Sequence, residues 1–301
     1  MGGVDVRVVD GGLATELEAR GHDLSDALWS ARLLADAPGE IVAAHEAFFR
    51  AGADIAITAS YQASVPGFAA HGIGRVEAER LLSRSVELAR EAARRVGGGT
   101  VAASVGPYGA YLADGSEYRG GYGLSHRELT AFHRPRIETL LAAGPDLLAL
   151  ETVPDVDEAV AELAALEAVG GSGIPVWLSY SVDGDRTRAG QPLEEAFAVA
   201  ADERVTAVGV NCCAPADVVE AVRIARVATG KPVIAYPNSG HGWDAARRQW
   251  AGRATFSPEE VMAWMAEGAR LVGGCCRVSP AEIAQIARII RDFPPSPEWG
   301  E

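Results

Sequence analysis

The sequence predicts a (β/α)8 barrel of the α/β class, and three observations carry that prediction. Eight short apolar runs of strand composition recur along the 301 residues. The segments between them have helical periodicity, and the polar and sulfur-bearing residues of the runs gather at their C-terminal ends. No internal repeat, low-complexity tract or interdomain linker divides the chain, so a single barrel domain over residues 1–301 is expected.

The runs come in order. VRVVDGG ends at Asp10 and two glycines, and DIAITAS ends at Ser60. TVAASVGP follows, then LLALETV with Glu151, VWLSYSV, AVGVNCC with Cys212, VIAYPNSG with Asn238, and RLVGGCC with Cys275 and Cys276. Between the second and third runs, Val76 to Val96 places Ala78, Leu81, Leu82, Val86, Leu88, Ala89 and Ala92 largely on one helical stripe, with Glu and Arg on the others. Two connections exceed what a barrel requires: GPYGAYLADGSEYRGGYGL, from Gly106 to Leu124 after the third run, and the stretch from Ser239 to Ser257 after the seventh. Long connections at strand C-termini are where barrels keep their active sites. The tail PPSPEWGE reads as a frayed end.

Composition narrows the function classes. The 48% hydrophobic content supports a large core, and 41 acidic against 27 basic residues give a formal charge of −14. That charge disfavours nucleic acid or an anionic membrane as a partner and favours a small ligand. The N-terminus carries neither a signal-peptide pattern nor a myristoylation pattern, and no apolar run approaches the roughly 20 residues of a membrane-spanning helix, so the cytoplasm is the expected location. In a reducing cytosol, clustered cysteines read as metal ligands or redox groups before structural disulfides.

In a closed parallel barrel Asp10, Ser60, Glu151, Cys212, Asn238, Cys275 and Cys276 converge on one rim. Any one of them alone reads equally as a turn or capping residue. Three cysteines on strands six and eight, read as neighbours, do not, because three thiolates around Zn2+ leave a fourth tetrahedral position open, the arrangement of a catalytic zinc site. A vicinal redox pair is the competing reading, but no C-x-x-C helix is present. Schiff-base chemistry is disfavoured, since the only lysine, Lys231, precedes the seventh strand and falls at the opposite end of the barrel.

VDGGLATELEARG, SYQAS, SVGPYGAYLADGSEYRG, LLALETVP, GVNCC, YPNSG and GGCCR together resemble the homocysteine S-methyltransferases, zinc enzymes built on this barrel. The resemblance spans nearly the whole chain. GPYGAYLADGSEYRG and YPNSG look most like the branch that uses S-methylmethionine or S-adenosylmethionine. It implies zinc on Cys212, Cys275 and Cys276, with the homocysteine sulfur as fourth ligand, and it places Asp10 and Glu151 at the substrate's amino end. Ser60, Tyr61 and Gln62 belong to the segment whose backbone would receive the carboxylate, and Trp29 matches a tryptophan near the methyl donor. Asn211 and Asn238 hold loop backbones or contact ligand; the sequence does not separate these roles. The expected partners are L-homocysteine and a sulfonium donor, and the expected product is L-methionine. Another thiol or selenol acceptor such as selenocysteine, and a non-catalytic zinc-binding barrel, remain the alternatives.

Some residues stay outside this assignment. Strand alternation points Cys213 away from the rim, as a buried apolar filler. Gly273 and Gly274 are expected to let the backbone turn tightly enough for Cys275 and Cys276 to reach one metal. His241 stands where the family branch often has an acidic residue, and reads as a solvated loop histidine. Tyr108, Tyr111, Tyr118 and Tyr122 form either a lid or a packed loop.

Overall fold

Apolar strands without polar alternation must be covered on both faces, and a closed parallel barrel does this with helices outside and packed side chains within. The computed structural model describes residues 6–24, 29–171, 173–244 and 249–292, with side chains at 29–30, 242–244 and 249–251 excepted. Its parallel strands are β1 (Arg7–Val8), β2 (Ile55–Ile57), β3 (Thr100–Val105), β4 (Leu147–Val153), β5 (Val176–Tyr180), β6 (Val205–Asn211), β7 (Val233–Tyr236) and β8 (Ala269–Val272). They pair in the order β1-β8-β7-β6-β5-β4-β3-β2, and a parallel bridge between Val9 and Ile55 closes the ring. The predicted barrel is present, with its strands where the eight runs placed them.

A helix follows each strand: α1 (Pro38–Ala51), α2 (Arg75–Val96), α3 (His126–Ala142), α4 (Val156–Ala168), α5 (Leu193–Val199), α6 (Val218–Thr229), α7 (Val261–Glu267) and α8 (Pro280–Asp292). All seven stripe residues predicted for α2 are buried. Gly97, at φ 95°, ends that helix in the left-handed region where glycine is favoured. Ser125 starts α3 with a reciprocal capping box, its Oγ accepting from Glu128 N–H while its own N–H donates to the Glu128 carboxylate. Among the described residues no helix is long and apolar enough to cross a membrane.

Strand alternation sorts the core into two layers. Val9, Ile55, Ala102, Ala149, Trp177, Ile234 and Tyr236 fill the barrel interior, whereas Val8, Ala56, Ala103, Val208 and Val210 face the helices. Cys213 lies in the outer layer and is 1% exposed, while Cys275 packs against the inner one. The filler role expected for Cys213 matches that position.

β4 departs from regularity where it matters for the site. Its pairing with β5 shifts register between Leu150 and Val153, and Thr152 takes φ 60°. A β-branched residue in that region is strained, and such an irregularity re-aims the side chains around it. Asn211, at the end of β6, holds the irregular segment: its Oδ1 accepts from Thr152 N–H at 2.7 Å and its Nδ2 donates to Thr152 Oγ1 at 2.7 Å.

Candidate active site at the barrel mouth

The barrel brings together the three cysteines singled out in the sequence. Cys212, Cys275 and Cys276 place their sulfur atoms within 4.8 Å of one another, with Cys212 Sγ 2.7 Å from Cys275 Sγ. β6 and β8 are not the neighbours the sequence suggested: β7 lies between them, so the pair from β8 meets Cys212 across the end of β7. Backbone bonds fix the approach: Cys275 N–H donates to Pro237 O at 2.7 Å and Ser239 N–H to Cys276 O at 2.9 Å. Asn238 completes the frame, its Oδ1 accepting from Cys276 N–H at 3.1 Å and its N–H donating to Cys213 O at 3.0 Å.

The expected role of the two glycines needs correction. Neither Gly273 nor Gly274 has positive φ; the left-handed residues are Cys212, at 48°, and Arg277, at 62°. What the glycines provide is close approach. A Cβ on Gly273 would lie 2.5 Å from Val9 O, one on Gly274 2.3 Å from Val278 Cγ1, and one on Gly12 2.7 Å from Cys275 O. Without side chains there, β1 and the end of β8 can press together.

Asp10 and Glu151 sit in the mouth beside the thiols. Asp10 is fully buried; its Oδ2 accepts from Ile57 N–H at 2.9 Å, and its Oδ1 has no partner among the described residues. Glu151 accepts from Ser104 Oγ and from Tyr236 OH, the latter at 3.0 Å. Burial raises the Asp10 carboxyl well above its ordinary value, and the nearby Glu151 charge adds to the rise. Burial also lifts Glu151 to about 7. Two acidic groups at this cost, one with an oxygen unmet, fit an arriving ammonium, which would favour their charged forms.

The remaining sequence candidates divide by what their side chains touch. Ser60 is buried, and its hydroxyl donates to Ser104 O at 2.7 Å. The Gln62 amide donates to Ala110 O at 3.0 Å while its Oε1 is buried without a partner among the described residues. Tyr61 packs over Gly106, where a Cβ would come 2.6 Å from its ring, and hydrogen-bonds Thr152. The Asn211 amide is fully buried and bonded to Thr152 and to Ser179 Oγ, so it positions strands. His241 bonds Ser239 Oγ through Nδ1 at 2.7 Å and does not join the thiol group. The Trp29 side chain lies outside the described residues.

The Gly106 to Leu124 connection resolves into two parts. Tyr108 packs against Tyr111, Tyr122 and Phe132 at ring-centroid distances of 5.4, 5.2 and 4.8 Å, so three of the four tyrosines form a packed loop. Tyr118 instead faces the thiols, with the Arg188 guanidinium 5.4 Å from its ring centroid, and Glu117 beside it interacts electrostatically with Cys212. Burial raises Glu117 to about 7. Sequence reasoning singled out neither Glu117 nor Thr152 nor Tyr236 for the site. Glu117 was present in the quoted GSEYRG stretch, but nothing in its spacing showed that the loop folds back over the thiols.

The thiols themselves indicate what they can hold. Hydrogen bonds with Cys212 and Cys276, together with burial, push the Cys275 thiol well above its ordinary value; bonds from Cys212 and Cys275 hold Cys276 well below it. Crowded sulfurs resist ionising together unless a divalent cation sits among them, and three soft donors with one open side fit a tetrahedral metal site. Residues 7–290 match the homocysteine S-methyltransferase family. The chain belongs to that family. Within it, the chain is 45% identical to the homocysteine S-methyltransferase of Escherichia coli strain K12, covering 94% of each chain. It is also 46% identical to homocysteine S-methyltransferase 4 of Zea mays, covering 95% of this chain and 89% of that one. The crystal structure of the homocysteine methyltransferase MmuM from Escherichia coli in its metallated form superposes with a TM-score of 0.85 at 43% identity, covering 94% of this chain and 96% of that one.

Proposed function

We propose that this homocysteine S-methyltransferase family member is a zinc enzyme that moves a methyl group from a sulfonium donor, S-methylmethionine or S-adenosylmethionine, to L-homocysteine, giving L-methionine. The observation that carries the reading is the meeting of three thiols with the Asp10 and Glu151 carboxyls in one barrel mouth. Zn2+ among these sulfurs supplies the Lewis acidity that keeps an acceptor thiol, ordinarily of pKa about 8.5, ionised near neutral pH.

The chain's residues do the rest by binding and alignment. Asp10 Oδ1 and the Glu151 carboxylate hold the acceptor's ammonium, with Ser104 and Tyr236 fixing the direction of Glu151. The backbone of the Ser60 to Ser64 segment, including Tyr61 and Gln62, receives its carboxylate. Asn211 and Asn238 act one step back, by holding Thr152 and Cys276 in place. Thiolate lone-pair density forms the new S–C bond while the old bonding pair stays on the departing donor sulfur, so no proton has to move. The gain in rate then comes from an ionised nucleophile and an in-line approach. Four free cysteines suit a reducing compartment, which supports the cytoplasm as the place of action.

The test is turnover by metal-loaded protein with homocysteine against S-methylmethionine, S-adenosylmethionine and betaine, beside metal analysis. Methionine formed from a sulfonium, lost on chelation and restored by zinc, supports the reading. Turnover by verified metal-free protein, or with betaine alone, overturns it.

A further inference from the structure

Glu117 is a buried carboxylate that no cationic side chain among the described residues hydrogen-bonds; Arg119 acts on it only through space. Its Oε2 is buried and has no hydrogen-bond partner among the described residues. The neighbouring Arg119 turns instead toward Asp114, at 3.8 Å, and Ser116 Oγ, at 3.1 Å. The Cys212 and Cys276 thiols and the Tyr61 and Tyr118 hydroxyls interact electrostatically with the Glu117 carboxylate. An acid set against potential thiolates is unfavourable unless a cation joins them.

The position is built by the fold. Gly109 lets the loop fold on itself, since a Cβ there would lie 2.3 Å from Glu117 N. On either side of Glu117, buried ionisable groups behind the barrel grip the loop. The Glu158 carboxylate accepts from Tyr108 N–H at 2.5 Å and from Tyr122 OH at 3.0 Å, Asp155 accepts from Gly121 N–H at 3.0 Å, and Arg136 donates to Gly106 O. His133 Nε2 in turn lies 2.9 Å from Glu158.

In methyl transfer three positive groups reach this mouth: a metal ion, the acceptor's ammonium and the donor's sulfonium. Glu117 is absent from the group whose ligand atoms lie within 4.8 Å of one another, so it is not placed as a fourth ligand to the thiols. The acceptor's ammonium already has Asp10 and Glu151, at the ends of β1 and β4. An in-line transfer sets donor sulfur, methyl carbon and acceptor sulfur on one line, roughly perpendicular to the acceptor's own S–C bond, so the donor comes in beside the thiols on a side that neither the metal nor the acceptor's chain takes. Glu117, which acts electrostatically on Cys212 and Cys276, is the unpartnered acid there among the described residues. We propose that Glu117 is the donor-recognition residue of this enzyme, its carboxylate facing the positive charge of the sulfonium. The inference rests on the methyl-transfer reading.

The charge logic gives the expected kinetics. A methyl moving from sulfonium to thiolate erases both charges, so a carboxylate facing the donor favours the bound ground state more than the transition state. Removing it raises the donor KM while kcat holds or rises. The experiment measures binding of S-methylmethionine and of methionine, its neutral counterpart with one methyl fewer, to metal-loaded protein without homocysteine, for wild type, Glu117→Gln and Glu117→Asp. Wild type should prefer the sulfonium by at least about tenfold. Glu117→Gln should bring that preference close to unity, raise the donor KM about tenfold without lowering kcat, and keep metal content and homocysteine affinity. Glu117→Asp should restore part of the preference.

A preference that survives in both variants overturns the inference, as does equal weakening of sulfonium and thioether, or loss of metal in Glu117→Gln with no loss of preference in Glu117→Asp. Wild type that transfers methyl from no sulfonium overturns the functional reading and the inference with it. Wild type that turns over while Glu117→Gln keeps its preference overturns the inference alone.

Discussion

The thiols at the barrel mouth and the cluster of His133, Glu158 and Glu162 between α3 and α4 both gather three metal-ligating side chains within 4.8 Å, yet they differ in access and in charge. In the second cluster the chain supplies its own cation, the Arg136 guanidinium facing Glu158 and Glu162, even though both Glu162 carboxylate oxygens and His133 Nδ1 have no hydrogen-bond partner among the described residues. His133 lies 2.9 Å from Glu158 and 3.6 Å from Glu162, and the buried Arg136 adds a guanidinium that burial lowers to about 10. Glu158 is bonded further to Tyr108 and Tyr122, and none of the three metal-ligand candidates is accessible. The mouth has three sulfurs with no side-chain cation bonded to them among the described residues, and Cys275 and Cys276 are only partly covered. Proximity of ligand-type residues therefore does not identify a site. An open side and an uncompensated charge do.

The largest expected effect tests the mouth. Cys212→Ala, Cys275→Ala and Cys276→Ala should each abolish tight metal binding, taking content from about one ion per chain to near zero and activity with it, read by metal analysis and turnover. Metal retained in Cys212→Ala but lost in Cys213→Ala would reverse the assignment of the two neighbours.

Breaking the inner cluster should cost stability and leave the metal in place. His133→Ala removes a hydrogen-bond partner of the buried Glu158 carboxyl and should lower unfolding free energy by about 3 kcal/mol in urea titration, with metal content unchanged. Metal loss without destabilisation would erase the contrast between the clusters.

His45 extends the comparison to a buried group that has neither partner nor ligand. It sits fully buried in α1, with no hydrogen-bond partner for either ring nitrogen among the described residues, and burial lowers it to about 4. The unfolded chain takes up this proton below about pH 6.5 and the folded chain only below about 4, so stability is full above that window and declines as pH falls through it. The loss approaches about 3 kcal/mol by pH 4. His45→Leu should move the acid-unfolding midpoint to lower pH, as followed by circular dichroism; an unchanged midpoint would mean that other groups set acid lability.

Glu151→Gln gives a smaller and more selective effect. It should weaken homocysteine binding by about 1.5–3 kcal/mol and leave donor binding nearly unchanged, since one charge-assisted contact is lost; equal losses for both substrates would place Glu151 elsewhere. Smallest of all, Cys213→Ala should cost about 1 kcal/mol from lost packing in the outer layer, with metal retained.

Much of this protein was legible along the chain because it depends on local pattern. Parallel strands covered on both faces read as continuous apolar runs, and the α2 stripe reads as periodicity, so the barrel and its eight strands needed no coordinates, whereas the adjacency read for the sixth and eighth did not hold. Closure of such a barrel then dictates that residues at strand ends meet, which brought Cys212, Cys275, Cys276, Asp10 and Glu151 into one list. What periodicity cannot encode is where a chain leaves its regular path. The left-handed Thr152 and Cys212, the Asn211 clamp on the β4 irregularity, and the close approach at Gly273 and Gly274 all depend on a neighbouring strand being present. The turn of the Gly106 to Leu124 loop that sets Glu117 over the thiols is fixed by Glu158, Asp155 and Arg136, residues distant in sequence and buried behind the barrel. The sequence by itself determined the barrel and the thiols at its mouth, because apolar pattern and strand ends are local properties. Tertiary structure alone decided which charges stay uncompensated there, because a counterion is a matter of distance in space.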